Sequence, residues 1–516
     1  MDDASTLVHL LARSAAARPD AEALVADGVA LTYAALWAQV ERACESLRQE
    51  GLASGDHVAL ILPNSPAYVV WFYAILASGA VVVPINPDAA TAELINRLQH
   101  SGATAAILDR SRLARPSLEA VADSGIDIVN SDAVMADSAA GQQPTAIDLP
   151  AIDAGDLAAI FYTSGTTAEP RGVMLSHRNL VSNTLAISEA LALRPSDRVL
   201  AALPFFYAYG NSVLHTHLAA GATVVIEQSL MYPQRVVDTM RAQQITGFPG
   251  VPSMFTSLVE RSSFGAGASA LPRLRYVTQA GAAMRLSDIA RVRARFPNVA
   301  FHVMYGQTEA TARLTMLPPR DIDHRPGSAG LPIRGVRLRV MASEDREARP
   351  GETGDVQVSG PGVMLGYWRA PAATASVITD NGLERWLRTG DLGYVDDDGF
   401  LYLTGRRADL IKTGAHRVLP AAIEEAALEL ADVAEAAACG IPDPMLGQSV
   451  LLVVVPRRGA NLTTAAVQAH CRKRLTRHMV PARVVIAGAL PRTASGKVQR
   501  QTLPTVRSME ARPWAR

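Results

Sequence analysis

The chain has 516 residues, of which 49% are hydrophobic and 19% charged, and 49 basic residues balance 49 acidic ones. This length exceeds what one hydrophobic core organises, so two or more domains are expected. The composition excludes a disordered chain, and the zero net charge gives no overall attraction to nucleic acid.

The first part of the chain alternates helical segments with short apolar strands, which are predicted at Val58–Leu62, Ala80–Val83 and Ala105–Leu108. This alternation is typical of a parallel sheet with helices on its faces. The apolar run from Tyr68 to Ile85 is about long enough to cross a bilayer, but a Ser-Gly pair and a proline interrupt it. A helix followed by a buried strand explains it better, so no membrane span is expected.

A polar stretch from about Asn130 to Asp153 is predicted to be a connecting loop, and a second βα series follows from Ala158 to about Pro318. Strands with Gly, Pro and Asp turns dominate from about Gly327 to Leu403 and indicate a β-rich subdomain. A smaller α+β unit follows Gly405. The sequence therefore predicts the α/β class, with two βα series, a β-rich subdomain and a smaller α+β unit at the end.

The segment from Thr163 to Thr167 follows an apolar run and holds five consecutive residues with a hydroxyl or no side chain. Clustered backbone N–H groups and hydroxyls suit the oxygens of a polyphosphate. The segment is not a Walker A loop, because it lacks G-x-x-x-x-G-K-[ST]. The alternative is an ordinary Ser/Thr/Gly surface loop.

Lys497 lies in a Ser/Gly turn within Leu490–Arg500. Only Lys412, Lys473 and Lys497 are lysines among the 49 basic residues. A lysine ammonium is a compact charge on a flexible stem, which suits a group that moves onto a reacting phosphate. The alternative is a surface lysine retained by chance.

Cys44, Cys439 and Cys471 are far apart and form neither a CxxC nor a zinc pattern. The chain begins with acidic residues and lacks a basic-then-apolar signal pattern, so a cytoplasmic protein is expected. His215 and His217 are two positions apart and would not share a helix face, so we predict structural roles for them rather than metal binding.

With four further motifs, the loop and the lysine segment resemble the adenylate-forming superfamily of acyl-CoA synthetases, luciferases and peptide-synthetase adenylation domains. These further motifs are Tyr305-Gly-Gln-Thr-Glu309, Gly351-Glu-Thr-Gly-Asp355 with Gly366-Tyr-Trp368, Trp386-Leu-Arg-Thr-Gly-Asp391, and Gly405-Arg406 through Lys412 to Gly414. Their common order extends the resemblance over almost the whole chain.

The resemblance implies a large N-terminal ATP- and acid-binding domain at residues 1–404, with two stacked βα sheet subdomains plus a β-rich subdomain. It also implies a hinge at 405–409 and a small, mobile α+β C-terminal domain at 410–516. The family uses Mg-ATP to convert a carboxylic acid into an acyl-adenylate with release of pyrophosphate. The acyl group then passes to a thiol or amine after the C-terminal domain rotates. This chemistry needs alignment and charge neutralisation rather than an enzyme nucleophile.

The resemblance also implies site residues. Those for the ATP phosphates are Thr163, Ser164, Gly165, Thr166, Thr167 and Arg171. Those for adenine and ribose are Gly281, Ala282, Tyr305, Asp391 and Arg406. The catalytic group comprises Lys497 for the substrate carboxylate and α-phosphate, Thr308 for the α-phosphate and Glu309 for Mg²⁺. The candidate acid pocket, chosen by position, comprises Tyr207, Tyr209, Asn211, Val251, Ser253, Gln279 and Ala280. Gly414 would line the tunnel for the acceptor.

Several positions depart from the family pattern. Arg171 stands where the family usually has a lysine, and it keeps the positive charge. Ala408 occupies the position of the usual hinge residue, and Asp409 follows it directly. Tyr207 stands where many members have histidine near the acyl carbon. No aspartate lies in the Phe205–Ser212 region, which disfavours an α-amino acid as substrate.

These features predict an AMP-forming acid–thiol ligase that uses ATP, Mg²⁺ and coenzyme A on a carboxylic acid. One alternative passes the acyl group to a free-standing carrier protein or an amine, and another is a nucleotide-binding protein without catalysis. From Asp409 onwards 15 Lys+Arg face 8 Asp+Glu, a basic surface that would steer coenzyme A or a carrier protein, or is simply solvated. Two tyrosines and an asparagine in the pocket favour a short or aromatic acid with polar substituents.

Overall fold

The computed structural model describes residues 6–132, 152–163, 170–228, 231–265, 271–380, 382, 384–414, 416–492 and 498–506. The chain divides into two compact units. The large unit comprises Met1–Leu338 and Val358–Leu387, and the small unit comprises Arg339–Gln357 and Arg388–Arg516. The predicted hinge at 405–409 lies within the small unit, and its role as a hinge stays a prediction.

The described helices are α1 (Leu7–Ala17), α2 (Tyr33–Gln49), α3 (Pro66–Ala77), α4 (Thr91–Ser101), α5 (Arg115–Asp123), α6 (His177–Ala190), α7 (Ala208–Ala219), α8 (Pro233–Ala242), α9 (Pro252–Arg261), α10 (Leu286–Arg295), α11 (Pro371–Val377), α12 (Pro420–Leu428) and α13 (Thr464–Arg474). Short 3₁₀ turns lie at Thr308–Ala310, Pro319–Asp321, Arg407–Asp409, Arg477–Met479 and Arg500–Thr505.

The strands of the first half are β1 (Glu22–Ala26), β2 (Val29–Thr32), β3 (His57–Ile61), β4 (Val81–Pro84), β5 (Ala105–Leu108), β6 (Asp127–Asn130), β7 (Leu157–Tyr162), β8 (Gly172–Ser176), β9 (Arg198–Ala201), β10 (Thr223–Ile226) and β11 (Gly247–Gly250). Those of the second half are β12 (Tyr276–Gln279), β13 (Ala300–Tyr305), β14 (Thr315–Leu317), β15 (Leu331–Pro332), β16 (Arg337–Met341), β17 (Gly354–Ser359), β18 (Gly366–Tyr367), β19 (Ile378–Asp380), β20 (Arg385–Val395), β21 (Leu401–Arg406), β22 (Ile411–Thr413), β23 (His416–Val418), β24 (Val433–Asp443), β25 (Gly447–Pro456) and β26 (Arg483–Ile486).

The large unit contains a seven-stranded sheet, ordered β18-β8-β7-β4-β3-β5-β6, and a nine-stranded sheet, ordered β15-β14-β13-β12-β11-β9-β10-β1-β2. The predicted βα class is confirmed, and the first three predicted strands are β3, β4 and β5, each within one residue at either end. The two predicted series do not each form one sheet, however. β1 pairs with β10 of the second series, and β7 pairs with β4 of the first. Most of the predicted loop from Asn130 to Asp153 lies outside the described residues.

Helix α3 explains the long apolar run. Its first turn is set by Ser65, whose hydroxyl accepts from the backbone N–H of Tyr68, and by Pro66 at the first position. Every residue from Tyr68 to Ala77 is buried, because the helix packs against β1 of one sheet and against β3 and β4 of the other. A helix that is apolar all round is expected in such a core. Within the described residues, no helix has the length and hydropathy needed to span a membrane.

A five-stranded sheet of order β16-β17-β20-β19, with β21 paired to β20, corresponds to the predicted β-rich segment. In the small unit a second sheet has the order β23-β22-β25-β24, with β26 beside β25. β25 is buried on both faces. Its residues Val450, Leu452 and Val454 belong to the core that includes α12 and α13 residues, whereas Leu451 and Val453 pack with Leu490 and Leu503. This is the two-residue period of a strand.

Burial disfavours the charged form of four histidines in the large unit. Burial lowers the pKa of His177 to about 4, of His215 to about 3, and of His217 and His302 to about 4. His215 and His217 hydrogen-bond to neighbouring side chains or carbonyls, which is in keeping with the predicted structural role. All four are neutral at neutral pH.

Because these four histidines are neutral when folded, we expect the large unit to lose stability at acid pH. Below the unfolded pKa of about 6.5, the unfolded chain binds protons that the folded unit excludes, so stability falls as pH drops from about 6.5 towards about 4. With four protons, the free energy of unfolding is expected to fall by about 5 kcal/mol per pH unit near pH 5. Urea unfolding between pH 7.5 and 5 measures this slope.

The matched variant is His302→Gln, because His302 is buried and its Nδ1 has no partner among the described residues. It should reduce the slope by about one proton, or about 1.4 kcal/mol per pH unit. A free energy of unfolding that does not change between pH 6.5 and 5 would contradict the expectation.

Candidate active site

The predicted phosphate loop connects two paired strands. β7 and β8 are antiparallel, with Tyr162 opposite Gly172, and the backbone N–H of Thr163 donates to the carbonyl of Arg171 at 3.3 Å. A strand, not a helix, therefore follows the loop, so any anion would rely on the loop's own N–H and hydroxyl groups and on Arg171. Ser164, Gly165, Thr166 and Thr167 lie outside the described residues.

Tyr367 links this loop to Glu309. The Tyr367 hydroxyl donates to Glu309 Oε1 at 3.0 Å, and the Arg171 guanidinium carbon lies 5.8 Å from the centre of the Tyr367 ring. Burial, followed by the neighbouring Glu309, raises the pKa of Tyr367, so the phenol stays a donor. The base of the loop and the predicted magnesium residue therefore meet at one side chain.

Glu309 and Thr308 are positioned by a tight turn at the end of β13. They form a 3₁₀ turn with Ala310, and Gly306 lets the chain reverse, since a Cβ there would come within 1.8 Å of the Ala312 carbonyl oxygen. The backbone N–H of Leu314 donates to the carbonyl of Tyr305 at 2.8 Å and closes the turn. Glycine in this motif is therefore required by backbone crowding.

The predicted adenine and acid residues gather at the carboxyl ends of three parallel strands. β11, β12 and β13 are neighbours with parallel register, and their ends lead into Val251, Ala280 and Gly306. Gly281 has φ +90° and its Cβ would lie 3.1 Å from a Val251 methyl group. Gln279 Nε2 donates to the Ala282 carbonyl at 2.5 Å and fixes this segment. Such an edge is where open α/β sheets bind ligands.

The acid-pocket predictions divide into two groups. Gln279 and Ala280 are buried at this edge, and the Tyr209 hydroxyl reaches the same strands, donating to the Thr278 carbonyl at 3.1 Å. Tyr207 is half-buried immediately before α7, and Ser253 is exposed in the first turn of α9.

Asn211 belongs to an internal polar chain. Its Oδ1 lies 2.7 Å from His215 Nε2, and His215 Nδ1 lies 2.8 Å from the Tyr73 hydroxyl. Because the pKa of His215 is low, the ring is neutral, so Nε2 donates to Asn211 and Nδ1 accepts from Tyr73. The Asn211 side chain is buried and also hydrogen-bonds to Tyr68, so it belongs to this internal network.

In the small unit Asp391 and Arg406 lie opposite each other on β20 and β21. Arg406 Nε is 3.0 Å from Asp391 Oδ1, and the Asp391 side chain is 8% exposed. Arg407 Nε donates to Asp355 at 2.6 Å and so joins two motifs that the sequence analysis had connected only by their order. The predicted ribose residues are therefore neighbours.

The predicted catalytic lysine, Lys497, lies outside the described residues, while Arg492 and Val498 on either side of its segment form an antiparallel bridge. Gly414 has φ +57°, and its backbone N–H donates to the Leu446 carbonyl at 2.8 Å. The described residues contain no group of three or more His, Cys, Asp or Glu placed to hold a metal ion.

Sequence reasoning missed Arg313. It lies four residues after Glu309, is 3% exposed, and its guanidinium carbon stands 3.8 Å from the centre of the Tyr209 ring. Burial lowers the pKa of Arg313. A cation–aromatic contact contributes about 2 kcal/mol when desolvated, less than the several kcal/mol that burying an unpaired ion costs. The available signal was an isolated arginine next to the apolar segment Leu314–Leu317.

Two family models match the chain: AMP-binding enzyme over residues 11–368 and AMP-binding enzyme C-terminal domain over residues 422–497. The chain is 35% identical over 505 residues to a sulfoacetate–CoA ligase of Cupriavidus necator, covering 96% of this chain and 97% of that one. It is 34% identical over 488 residues to a feruloyl-CoA synthase of Amycolatopsis sp, covering 94% and 96%. A solved structure of o-succinylbenzoate coenzyme A synthetase from Bacillus subtilis, in complex with ATP and magnesium ion, matches with a TM-score of 0.84 at 28% identity, covering 96% of this chain and 99% of that one.

The hydrogen bond between Tyr367 and Glu309 gives a test of the magnesium site. Tyr367→Phe removes the donor that fixes the carboxylate, a loss of about 1 kcal/mol or a factor of roughly 5. We expect Mg-ATP to bind roughly 5-fold more weakly, with a higher Mg²⁺ concentration for half-maximal binding, measured by titration calorimetry. Tyr232→Phe, at a 63% exposed tyrosine, is the control and should bind as the parent does. Unchanged Mg²⁺ dependence in Tyr367→Phe would contradict the assignment.

Proposed function

Because the chain belongs to the family of AMP-binding enzymes, we infer that it activates a carboxylic acid with Mg-ATP and then transfers the acyl group to coenzyme A. It is an AMP-forming acid–CoA ligase. The observation that carries this proposal is the contact of Tyr367 with both Glu309 and Arg171, because it puts a carboxylate and a cation at the base of the candidate phosphate loop.

The reaction has two balanced steps. A carboxylate oxygen of the acid attacks the α-phosphorus of ATP, the bond to the β-phosphate oxygen breaks, and pyrophosphate leaves with the acyl-adenylate left behind. The thiolate of coenzyme A then attacks the acyl carbon, and AMP leaves with the electron pair of the acyl–oxygen bond. The enzyme positions these groups and stabilises charge on the phosphorus and on the leaving groups.

For the first step we assign the phosphates to the Thr163–Thr167 loop and Arg171, and the magnesium ion to Glu309. Thr308 contacts the α-phosphate, and Lys497 bridges the α-phosphate and the attacking carboxylate. Fixed charge of this kind is commonly worth 10²–10³ in rate. Supporting observations are the turn that holds Thr308 and Glu309 at the end of β13 and the loop closure between Thr163 and Arg171.

For the nucleoside we assign the adenine to Tyr305, Gly281 and Ala282, and the ribose to Asp391 with Arg406. One carboxylate can accept from both ribose hydroxyls, and the ion pair with Arg406 orients the Asp391 carboxylate. After adenylation, rotation at residues 405–409 removes Lys497 and brings Gly414 to the thiol of coenzyme A. Such rotation about a few residues is an ordinary hinge motion.

We propose a short or aromatic acid with polar substituents. Supporting observations are the buried Gln279 and Ala280 and the half-buried Tyr209, which put polar groups at the strand ends. No described aspartate lies between Phe205 and Ser212 to hold an α-ammonium group. Relatives named for sulfoacetate and ferulate support this choice, because one is a short acid with a second polar group and the other is aromatic.

The test is pyrophosphate release from Mg-ATP over alkyl, aryl, polar and amino acids, each with and without coenzyme A. We expect release that depends on one class of acid and rises with coenzyme A, and acyl-CoA as the product. Lys497→Ala should lower the rate 10²–10³-fold, whereas Lys473→Ala, at the end of α13, should not. Release without acyl-CoA would assign the acyl group to a carrier protein or an amine, and no release with any acid would favour a non-catalytic nucleotide-binding protein.

The ribose assignment predicts a specific change in nucleotide selectivity. Asp391→Asn keeps the shape but removes the charge, so ATP should bind about 10-fold more weakly, a loss typical of charge-assisted hydrogen bonds. The preference of the parent for ATP over 2′-deoxy-ATP should shrink in the variant. Comparing KM for both nucleotides measures this. Asp396→Asn, in the turn after β20, is the control, and an unchanged preference in Asp391→Asn would remove Asp391 from the ribose site.

A further inference from the structure

We propose that the acid pocket contains a subsite for a second oxyanion, with Arg313 as its cation. The substrate would then be a short acid that carries a further carboxylate or a sulfonate at the end remote from the carboxylate that is adenylated. This inference rests on the proposed function and specifies its substrate class.

Arg313 is a buried cation without a carboxylate partner among the described residues. Its Nη1 donates to the carbonyl of its neighbour Ala312 at 3.3 Å, the guanidinium also hydrogen-bonds to the Tyr209 side chain, and its Nε has no partner among the described residues. A guanidinium has five N–H donors in a planar fork suited to a carboxylate or a sulfonate. Buried charges are normally paired. The Arg313 guanidinium therefore lacks the carboxylate or sulfonate partner that its planar donors suit.

Two other charged groups in the large unit illustrate the usual arrangement. The side chain of Asp197 is 3% exposed and lies 2.6 Å from Arg275. Arg97, whose side chain is 11% exposed, pairs with Glu93 on the same helix. Arg313 is as buried as Asp197, yet its principal neighbour is the face of Tyr209. An aromatic face stabilises a cation without neutralising it, and the Nε–H of Arg313 is the donor that keeps no partner among the described residues.

Arg313 lies next to the predicted acid pocket. The ring that it covers belongs to Tyr209, whose hydroxyl contacts the carbonyls of Thr278 and Gly250 at 3.1 and 3.5 Å. Those residues immediately precede the pocket residues Gln279 and Val251. The guanidinium is therefore separated from these strand ends by the Tyr209 ring.

A small cavity lies beside Arg313, with a volume of about 10 Å³, room for about one water molecule. Its lining is mainly apolar, with Ile187, Leu191 and Met304 among its side chains, and Ser212, Thr216, His217 and Thr278 add polar groups. The cavity is too small for a carboxylate or a sulfonate, but a long alkyl tail that reached Arg313 would bury its methyl end against a charge that has no carboxylate partner among the described residues. The arginine thus both attracts the second anion and rejects its neutral counterpart.

The experiment compares matched acids: succinate with butyrate, glutarate with valerate, and 3-sulfopropionate with butyrate. In the parent enzyme we expect kcat/KM for at least one dianion to exceed that of its monoacid by about 10² or more. Arg313→Met keeps the length but removes the charge and should lower this ratio at least 100-fold, mainly through KM of the dianion. Arg313→Lys should restore part of the ratio, and Arg320→Met, at an exposed arginine, should leave it unchanged.

Thermal unfolding without ligand separates binding from a structural role. Replacing an unpaired buried charge with an apolar side chain is often neutral or stabilising, so Arg313→Met should melt at or above the temperature of the parent. A lower melting temperature, or equal loss of kcat/KM on both acids of a pair, would make Arg313 a structural residue and overturn the inference.

The outcomes also separate this inference from the proposed function. If the parent adenylates only monoacids, the ligase function stands and the second-oxyanion subsite is wrong. If no acid of any class supports pyrophosphate release, the ligase function itself fails, whatever the Arg313 variants do.

Discussion

The candidate site depends on the pairing of β18 with β8. This two-residue ladder sets Tyr367 opposite Val173, and the hydroxyl of Thr374 accepts from the backbone N–H of Tyr367 at 2.9 Å. With its backbone fixed on both sides, Tyr367 can hold Glu309 while its ring lies under Arg171. The Tyr367 side chain thus contacts both the Glu309 carboxylate and the Arg171 guanidinium, which come from distant parts of the sequence. The short edge strand β18 therefore positions both charged groups at the base of the loop.

Sequence patterns predicted the parts of the fold that local chemistry determines. Buried strands such as β3, β4 and β5 are continuous apolar runs because both faces are covered, and the Tyr305–Glu309 motif is recognisable because Gly306 has no room for a Cβ. The exchange of β1 and β7 between sheets was not predictable, since strand pairing follows from packing across long sequence separations. The Tyr367–Glu309 bond, between residues far apart in the chain, was missed for the same reason.

The buried charged residues discussed above for the large unit are of two kinds. Asp197 and Arg97 have oppositely charged partners, which is how proteins tolerate buried ions. Arg313 has an aromatic face instead, and a sequence pattern offers no sign of this, because an arginine looks the same whether its carboxylate lies in the protein or in the ligand. Only the side chains that surround an arginine in the folded structure distinguish one that pairs with a protein carboxylate from one that would bind a ligand.

Helix α3 has a consequence for folding during synthesis on the ribosome. Tyr68 donates to the carbonyl of Phe205, and Tyr73 bonds to His215, so the part of α3 that these residues contact stays uncovered until the ribosome has made residues 78–204. At 5–20 residues per second, that takes about 6–25 s. For that time the nascent chain exposes part of an apolar helix, so slower translation of residues 78–204 would lengthen its exposure to aggregation.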